Sequence, residues 1–276
     1  MVLSDQSPTQ HADRPGSPAA PSDGPAPPAT VGATVRHALT LVRDTIPPLH
    51  PGGAPVIGTV AAAGLGLRAL RGRGTLGALA VTAGVAAFFR APRRTTPRRA
   101  GIAVAPADGT VSLVDTAEPP ADLVARGLPP GPRPRVSVFL SVYDVHVQRV
   151  PVDGQVQAVE HRSGGYLSAD LPAASDTNAR TAMWVRGTDD SGGHDLAVLQ
   201  IAGLVARRIV CDAAPGDEVR AGEVYGLIRF GSRVDLLLPP GSTVHVEPGQ
   251  RAVGGETVLA DLPGETGGGA GPGGTR

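Results

Sequence analysis

The chain has 276 residues and a formal net charge of zero, which allows one large domain with appendages and gives no field for holding a nucleic acid. A single cysteine, Cys211, in an apolar run, excludes an internal disulfide and a cysteine-rich metal site. All 25 positive residues are arginine, and a chain without lysine has no attachment point for pyridoxal phosphate, lipoate or biotin and no lysine Schiff base.

Residues 1–34 are Pro, Ser, Ala, Asp and Gly with few large apolar side chains, so they are expected to be disordered and carry no signal-peptide pattern. Residues 35–99 form the next unit. Within it, 55–67 and 75–89 are uncharged apolar runs separated by Arg68, Arg71 and Arg73. Each is shorter than the ~20 residues that span a bilayer. Together they predict a helical hairpin that dips into one leaflet or crosses as two short spans. Arg90, Arg93, Arg94, Arg98 and Arg99 follow directly, as suits the anionic cytoplasmic face of a cell membrane and a peripheral attachment. A core hairpin of a soluble domain is the alternative, since Gly- and Ala-rich runs fit both.

From residue 100 to 264 the texture is β. Val136, Val138 and Leu140 alternate with Ser137 and Phe139, and 196–201 is a continuous buried-strand candidate. Gly and Pro punctuate short strands throughout. Pro215-Gly216 is followed by Gly222-Glu223, and Pro248-Gly249 by Gly255-Glu256 at the same spacing. Residues 105–111 and 151–156 are further turn-and-strand units. This is the texture of a mainly β, barrel-sandwich-hybrid-like domain behind an N-terminal apolar helical hairpin. The glycine-rich end, 265–276, reads as a flexible tail.

Amine–carbonyl chemistry in a lysine-free chain needs a carbonyl on the protein side. Gly231-Ser232 lies between two apolar strand-like runs and can supply one. Ser232 Oγ can attack the Gly231 carbonyl to give an ester, whose β-elimination leaves dehydroalanine at a new N-terminus. Hydration and loss of ammonia then leave a pyruvoyl group. A glycine before the serine tolerates the bent backbone that attack requires. On the dipeptide alone a plain turn is the favoured reading.

Four blocks in order place that pair in context: 105–109 (Ala-Pro-Ala-Asp-Gly), 145–154 (Val-His-Val-Gln-Arg-Val-Pro-Val-Asp-Gly), 200–210, and 226–235 with Arg-Phe-Gly-Ser-Arg-Val-Asp at its end. Over residues 100–262 the chain closely resembles the phosphatidylserine decarboxylase family in its short form. The resemblance implies a proenzyme that cleaves between Gly231 and Ser232 into a β chain ending at 231 and an α chain starting at 232, which remain associated. Ser232 becomes the pyruvoyl group, which forms a Schiff base with the amine of phosphatidylserine. Carbon dioxide leaves and phosphatidylethanolamine is released, with no metal and no pyridoxal phosphate.

His146 is the candidate proton donor, because imidazole titrates in the useful range. Asp108 matches the family's acidic residue and is the candidate for assisting self-cleavage, although Asp-Gly is also a plain turn pair. The longer bacterial form has two histidines three apart where this chain has His146 and Arg149, so a complete Asp-His-Ser relay does not carry over. The family's Asn-Glu-Arg-Asn segment is reduced to Asn178-Ala179-Arg180. Arg149, Arg207 and Arg233 could hold phosphate or carboxylate. Two other readings stand beside this one: a membrane-tethered, non-enzymatic β-sandwich adaptor, and a pyruvoyl decarboxylase for a soluble amino acid.

Overall fold

A computed structural model describes residues 47–72, 75–169, 174–188, 193–203, 208–229 and 231–264. The segments expected to be disordered (1–34) and flexible (265–276), together with Arg207, lie outside the described residues.

The two apolar runs are helices. A 3-10 turn at Pro51–Gly53 leads into α1 (Ala54–Arg71), and α2 (Thr75–Phe88) packs back against it. Helix continues past the apolar run at both ends of α1, so Pro51–Arg71 is 21 residues long and apolar enough to cross a membrane. The apolar run alone fell short of that length because the 3-10 turn and the last helical turn carry Pro, Gly and Arg. Arg68 and Arg71 lie in that last turn, where a cation meets the negative end of the helix dipole. Thr59 and Thr82 turn their hydroxyls back onto the carbonyls of Pro55 and Ala78, which satisfies both within their own helices. Leu65, Leu67, Leu70, Leu76, Leu79 and Val81 are exposed, and α1 has no buried residue. Apart from Phe88 at its end, the hairpin is therefore not buried in the core of the β domain.

The rest is mainly β, as the sequence texture predicts. A curled sheet of eight antiparallel strands runs β13-β2-β3-β11-β7-β6-β5-β9. Its members are β2 (Gly109–Ala117), β3 (Arg133–Leu140), β5 (Gly154–Arg162), β6 (Arg180–Gly187), β7 (Asp195–Ala202), β9 (Glu218–Val219), β11 (Ser232–Leu237) and β13 (Arg251–Ala252). Two three-stranded sheets complete it: β1 (Ile102–Val104), β14 (Val258–Asp261) and β12 (Thr243–Val244), and β4 (Val147–Arg149), β10 (Val224–Ile228) and β8 (Ile209–Cys211). Val136, Val138, Leu140, Val198, Val234 and Leu236 join Ala103, Ile228 and Leu259 in the larger core cluster. The opposite sheet face packs Trp184, Leu199, Ile201 and Leu237 on Leu123 of a short helix, α3 (Ala121–Ala125), and on Leu128.

The sequence repeat is a structural repeat. Val111 exchanges backbone hydrogen bonds with Gly249 and Gln250 (both 2.8 Å), and Val156 does the same with Gly216 (2.8 Å) and Asp217 (2.9 Å). Ala105 accepts from Gly255 and Val150 from Gly222, each at 2.8 Å. Arg149 N–H donates to the Pro106 carbonyl and Val104 N–H to the Pro151 carbonyl. The two Asp-Gly turns are matched as well, since Asp108 Oδ1 accepts from Gly254 N–H (2.8 Å) and Asp153 Oδ1 from Ala221 N–H (2.7 Å).

The hairpin docks through its base. Phe88 and Phe89 pack with Val145, Val147 and Leu227, with Val56, Ile57 and Val85 around them. Arg229 donates to the Gly52 carbonyl (2.8 Å) and stacks over the Phe89 ring. Arg149 donates from Nη1 to the Gly222 carbonyl (2.6 Å) and from Nη2 to the Pro92 carbonyl (2.5 Å), tying the segment after the hairpin to the β domain.

On the outer face of β11, Arg233 Nε lies 2.8 Å from Asp235 Oδ1, and both groups are buried. Ser175 bridges the pair, donating to Asp235 (2.9 Å) and accepting from Arg233. A buried charge that loses its partner keeps its full desolvation cost. Asp235→Ala is expected to destabilise the fold by about 3–5 kcal/mol, while the double change Arg233→Leu with Asp235→Leu recovers most of that loss. Urea unfolding followed by Trp184 fluorescence measures both.

Candidate active site

Ser232 is the first residue of β11, and β11 is a central strand. Ser232 pairs with Leu140 of β3 on one side and Ala202 of β7 on the other. Alternation along the strand sends Ser232, Val234 and Leu236 to one face, and Val234 and Leu236 are core residues there. Ser232 is 0% exposed, and its Oγ has no hydrogen-bond partner among the described residues. A buried hydroxyl without a partner is costly, and this one belongs to the residue next to the expected scissile bond.

Gly231 has φ +62°, a left-handed conformation that glycine adopts without penalty. Its carbonyl oxygen lies against Gly203, where an added Cβ would be only 2.3 Å away. Gly203 thus leaves room for the Gly231 carbonyl. Gly231 N–H donates to His146 Nε2 at 3.3 Å.

That contact settles the histidine's tautomer. Nε2 accepts from a backbone amide, so the ring proton is on Nδ1, which donates to the Asp144 carbonyl at 2.9 Å. His146 is almost wholly buried, and burial pulls its pKa down to about 4, against the opposing pull of the Asp144 carbonyl and carboxylate. The Phe88 ring lies over it, with centroids 4.0 Å apart. At neutral pH His146 is an uncharged imidazole with its basic lone pair aimed at the Gly231 backbone.

Asp144 holds this loop in place. Its carboxylate accepts from Ser141 N–H and Oγ (2.8 Å each) and from Arg251 Nη2 (2.5 Å). Burial raises its pKa, but the hydrogen bonds from Arg251 and Ser141 outweigh that and leave the carboxyl below its usual range.

The structure brings Gly231, Ser232 and His146 together, and sets the other expected site residues around them. Asp108 pairs with Arg94 (2.6 Å) and accepts from Gly254, and burial raises its pKa. Arg149 spends its guanidinium on the Gly222 and Pro92 carbonyls. Neither makes a hydrogen bond to Gly231, Ser232 or His146. Arg233 adjoins Ser232 in sequence but lies on the other sheet face, paired with Asp235. Asn178 clasps Leu167 and the Ala202 carbonyl, and Arg180 pairs with Asp122. The Asn-Ala-Arg remnant is thus a brace beside the end of β7.

Two buried amides were not evident in the sequence. Gln148 donates to the His146 carbonyl (2.9 Å), and Gln200 donates to Gln148 Oε1 (2.9 Å) and to the Val210 carbonyl (3.2 Å). Gln200 pairs with Val234 and so faces the same side as Ser232, on the diagonal. A polar residue inside the otherwise apolar run 196–202 was the available signal. No group of three His, Cys, Asp or Glu side chains converges among the described residues.

The arrangement gathers the groups that cleavage of one backbone bond requires. It sets a buried hydroxyl next in the chain to a glycine carbonyl seated against an open Cα, with a neutral imidazole accepting from that glycine's own N–H. Ser232 is also placed to carry a group derived from itself, sheltered from water at a strand start.

Comparison with known proteins agrees with this chemistry. The family described as phosphatidylserine decarboxylase matches residues 81–260. The phosphatidylserine decarboxylase proenzyme of Saccharopolyspora erythraea is 59% identical over 227 residues, covering 82% of this chain and 93% of that protein. The proenzyme of Mycobacteroides abscessus is 56% identical over 230 residues, covering 83% and 94%. That of Rhodococcus erythropolis is 54% identical over 243 residues, covering 87% and 98%. The chain belongs to the phosphatidylserine decarboxylase family, whose members are pyruvoyl-dependent carboxy-lyases.

Proposed function

We propose that the chain is a proenzyme that cuts itself between Gly231 and Ser232 and then decarboxylates phosphatidylserine to phosphatidylethanolamine. The observation that carries this reading is the buried, unpartnered Ser232 Oγ next to a glycine carbonyl and a neutral histidine. The pyruvoyl group made from Ser232 supplies a carbonyl that captures a primary amine and draws off electrons as carbon dioxide leaves.

The chain's own residues do the rest. His146 Nε2 receives the proton that Ser232 Oγ sheds on attacking the Gly231 carbonyl, and Nδ1–H stays on the Asp144 carbonyl and fixes the ring. The same nitrogen then returns a proton to the substrate carbon that loses carbon dioxide. Gly203 seats the carbonyl under attack. Asp108 acts at one remove, through its field on Asp144 and Arg149. The guanidinium groups of Arg149 and Arg233 serve mainly to hold the frame, and phosphate recognition by either would need these contacts to be exchanged.

The exposed apolar hairpin and the arginines around it favour a protein held on a membrane surface, at the cytoplasmic face of the cell membrane, with the lipid headgroup as substrate. A soluble amino acid would require no such surface. An adaptor would require no buried, unpartnered serine beside a neutral histidine.

Intact-mass measurement is expected to give two chains, 1–231 and 232–276, the second blocked at its N-terminus. Ser232→Ala stays as one chain and does not decarboxylate. A folded wild-type protein that remains one chain would refute this reading.

Gly203→Ala pushes a methyl group into the Gly231 carbonyl and is expected to slow self-cleavage at least about tenfold, a loss of at least about 1.4 kcal/mol of barrier lowering. A time course on a denaturing gel measures it.

The pH dependence follows from His146. Its folded-state pKa of about 4 lies below the unfolded value of 6.5, so in that window the unfolded chain binds more protons and stability falls as pH is lowered. The loss between pH 6.5 and 4 amounts to about 3 kcal/mol. Self-cleavage is expected to be flat from pH 8 to about 5 and to fall as the base is protonated near pH 4, as read from initial rates in pH-jump experiments.

A further inference from the structure

Phe88 is the last residue of α2, so it belongs to the hairpin and not to the barrel. It is the one residue of α2 that is buried. Its ring lies on the imidazole of His146 with centroids 4.0 Å apart and planes tilted by 38°. It also meets the ring of Phe89 edge-on at 5.1 Å. Val145 and Val147, which flank His146 in the chain, pack in the same cluster as Phe88, Phe89 and Leu227. The cluster that docks the hairpin is therefore also the wall of the histidine's pocket.

We propose that Phe88 is a positioning residue for His146, closing one face of its pocket so that seating of the hairpin and proton transfer at His146 are one coupled property. The proposal rests on the reading of His146 as the proton-transfer group.

The physics follows from removing water. An imidazole covered by a phenyl ring cannot hydrate its charged form on that face, so the neutral form is favoured. The charged groups around it act in both directions. Asp144, on the histidine's own loop, favours the charged form, and its carboxylate is in turn committed to Arg251 from β13. Arg90, two residues beyond Phe88, disfavours it, and its guanidinium is tied to the Tyr143 carbonyl (2.8 Å). Arg229, after β10, sits over Phe89, and His50 and Asp212 pair at 3.3 Å between the 3-10 turn and the end of β8. Burial is the largest influence on His146, and the hairpin supplies an identifiable part of it.

The test is a direct titration of His146 by NMR of histidine-labelled full-length protein in detergent micelles. It is made in the Ser232→Ala background, with the signal assigned by loss in His146→Gln. The midpoint is expected near 4 with Phe88 present. Phe88→Ala is expected to raise it by about one unit or more, a tenfold change in proton affinity, and Phe88→Leu, which refills most of the space, to hold it within about half a unit. Phe88→Val gives an intermediate shift and carries the test if Phe88→Ala fails to fold. An unchanged midpoint in the folded Ala or Val variant overturns the proposal. In the cleavable protein the acid limb of the self-cleavage rate moves to higher pH with Phe88→Ala, whereas a merely structural loss lowers yield and leaves the limb in place. The underlying reading is tested separately: if His146→Gln cleaves and decarboxylates at the wild-type rate, the role of His146 falls, while the NMR midpoint still reports whether Phe88 controls its protonation.

Discussion

The pairing of β11 on both edges is the constraint on which the rest depends. Its six residues are in register with β3 on one side and β7 on the other, from Ser232 to Leu237. A backbone cut at the first residue of such a strand removes one covalent link and none of the lateral ones. The piece beyond the cut also supplies β14, which lies between β1 and β12, and β13, which pairs with β2. A chain divided after Gly231 is thus interlaced through two sheets, and the two parts stay together without a disulfide or a linker.

The same strand divides the chemistry by face. Ser232 looks inward to the core, the two buried amides and the histidine loop. Arg233 and Asp235 look outward to Ser175. On the proposed chemistry, neighbouring residues of the Gly-Ser-Arg-Val-Asp motif therefore serve different ends, one reactive and one structural. Sequence adjacency suggested a substrate role for Arg233, but strand alternation sends it to the other face.

Gly231, Ser232 and His146 were legible because each belongs to a residue pattern with a chemical reason. The helices were legible from their apolar runs, although the length of α1 was not, since its ends carry Pro, Gly and Arg. Gln148 and Gln200 were hidden because an amide pair across two sheets depends on register, which 50 residues of intervening chain do not announce. Phe88 was hidden for a different reason, since a phenylalanine closing a helix has no chemical signature until its neighbour is known. Asp108 was ambiguous in the sequence, and the repeat explains why: Asp153 makes the equivalent turn contact on the other half of the domain.

The seat that Gly203 offers to the Gly231 carbonyl has a consequence for timing. Gly203 directly follows β7 and Gly231 directly precedes β11, and β7 and β11 meet only when the sheet closes over pairings about 30 residues apart in sequence. The histidine comes from a third stretch, some 85 residues upstream of Gly231. Contacts this far apart form late in folding. On the proposed chemistry, an unfinished chain presents Ser232 with neither a seated carbonyl nor a base, so the cut serves as a checkpoint that only a completed barrel passes.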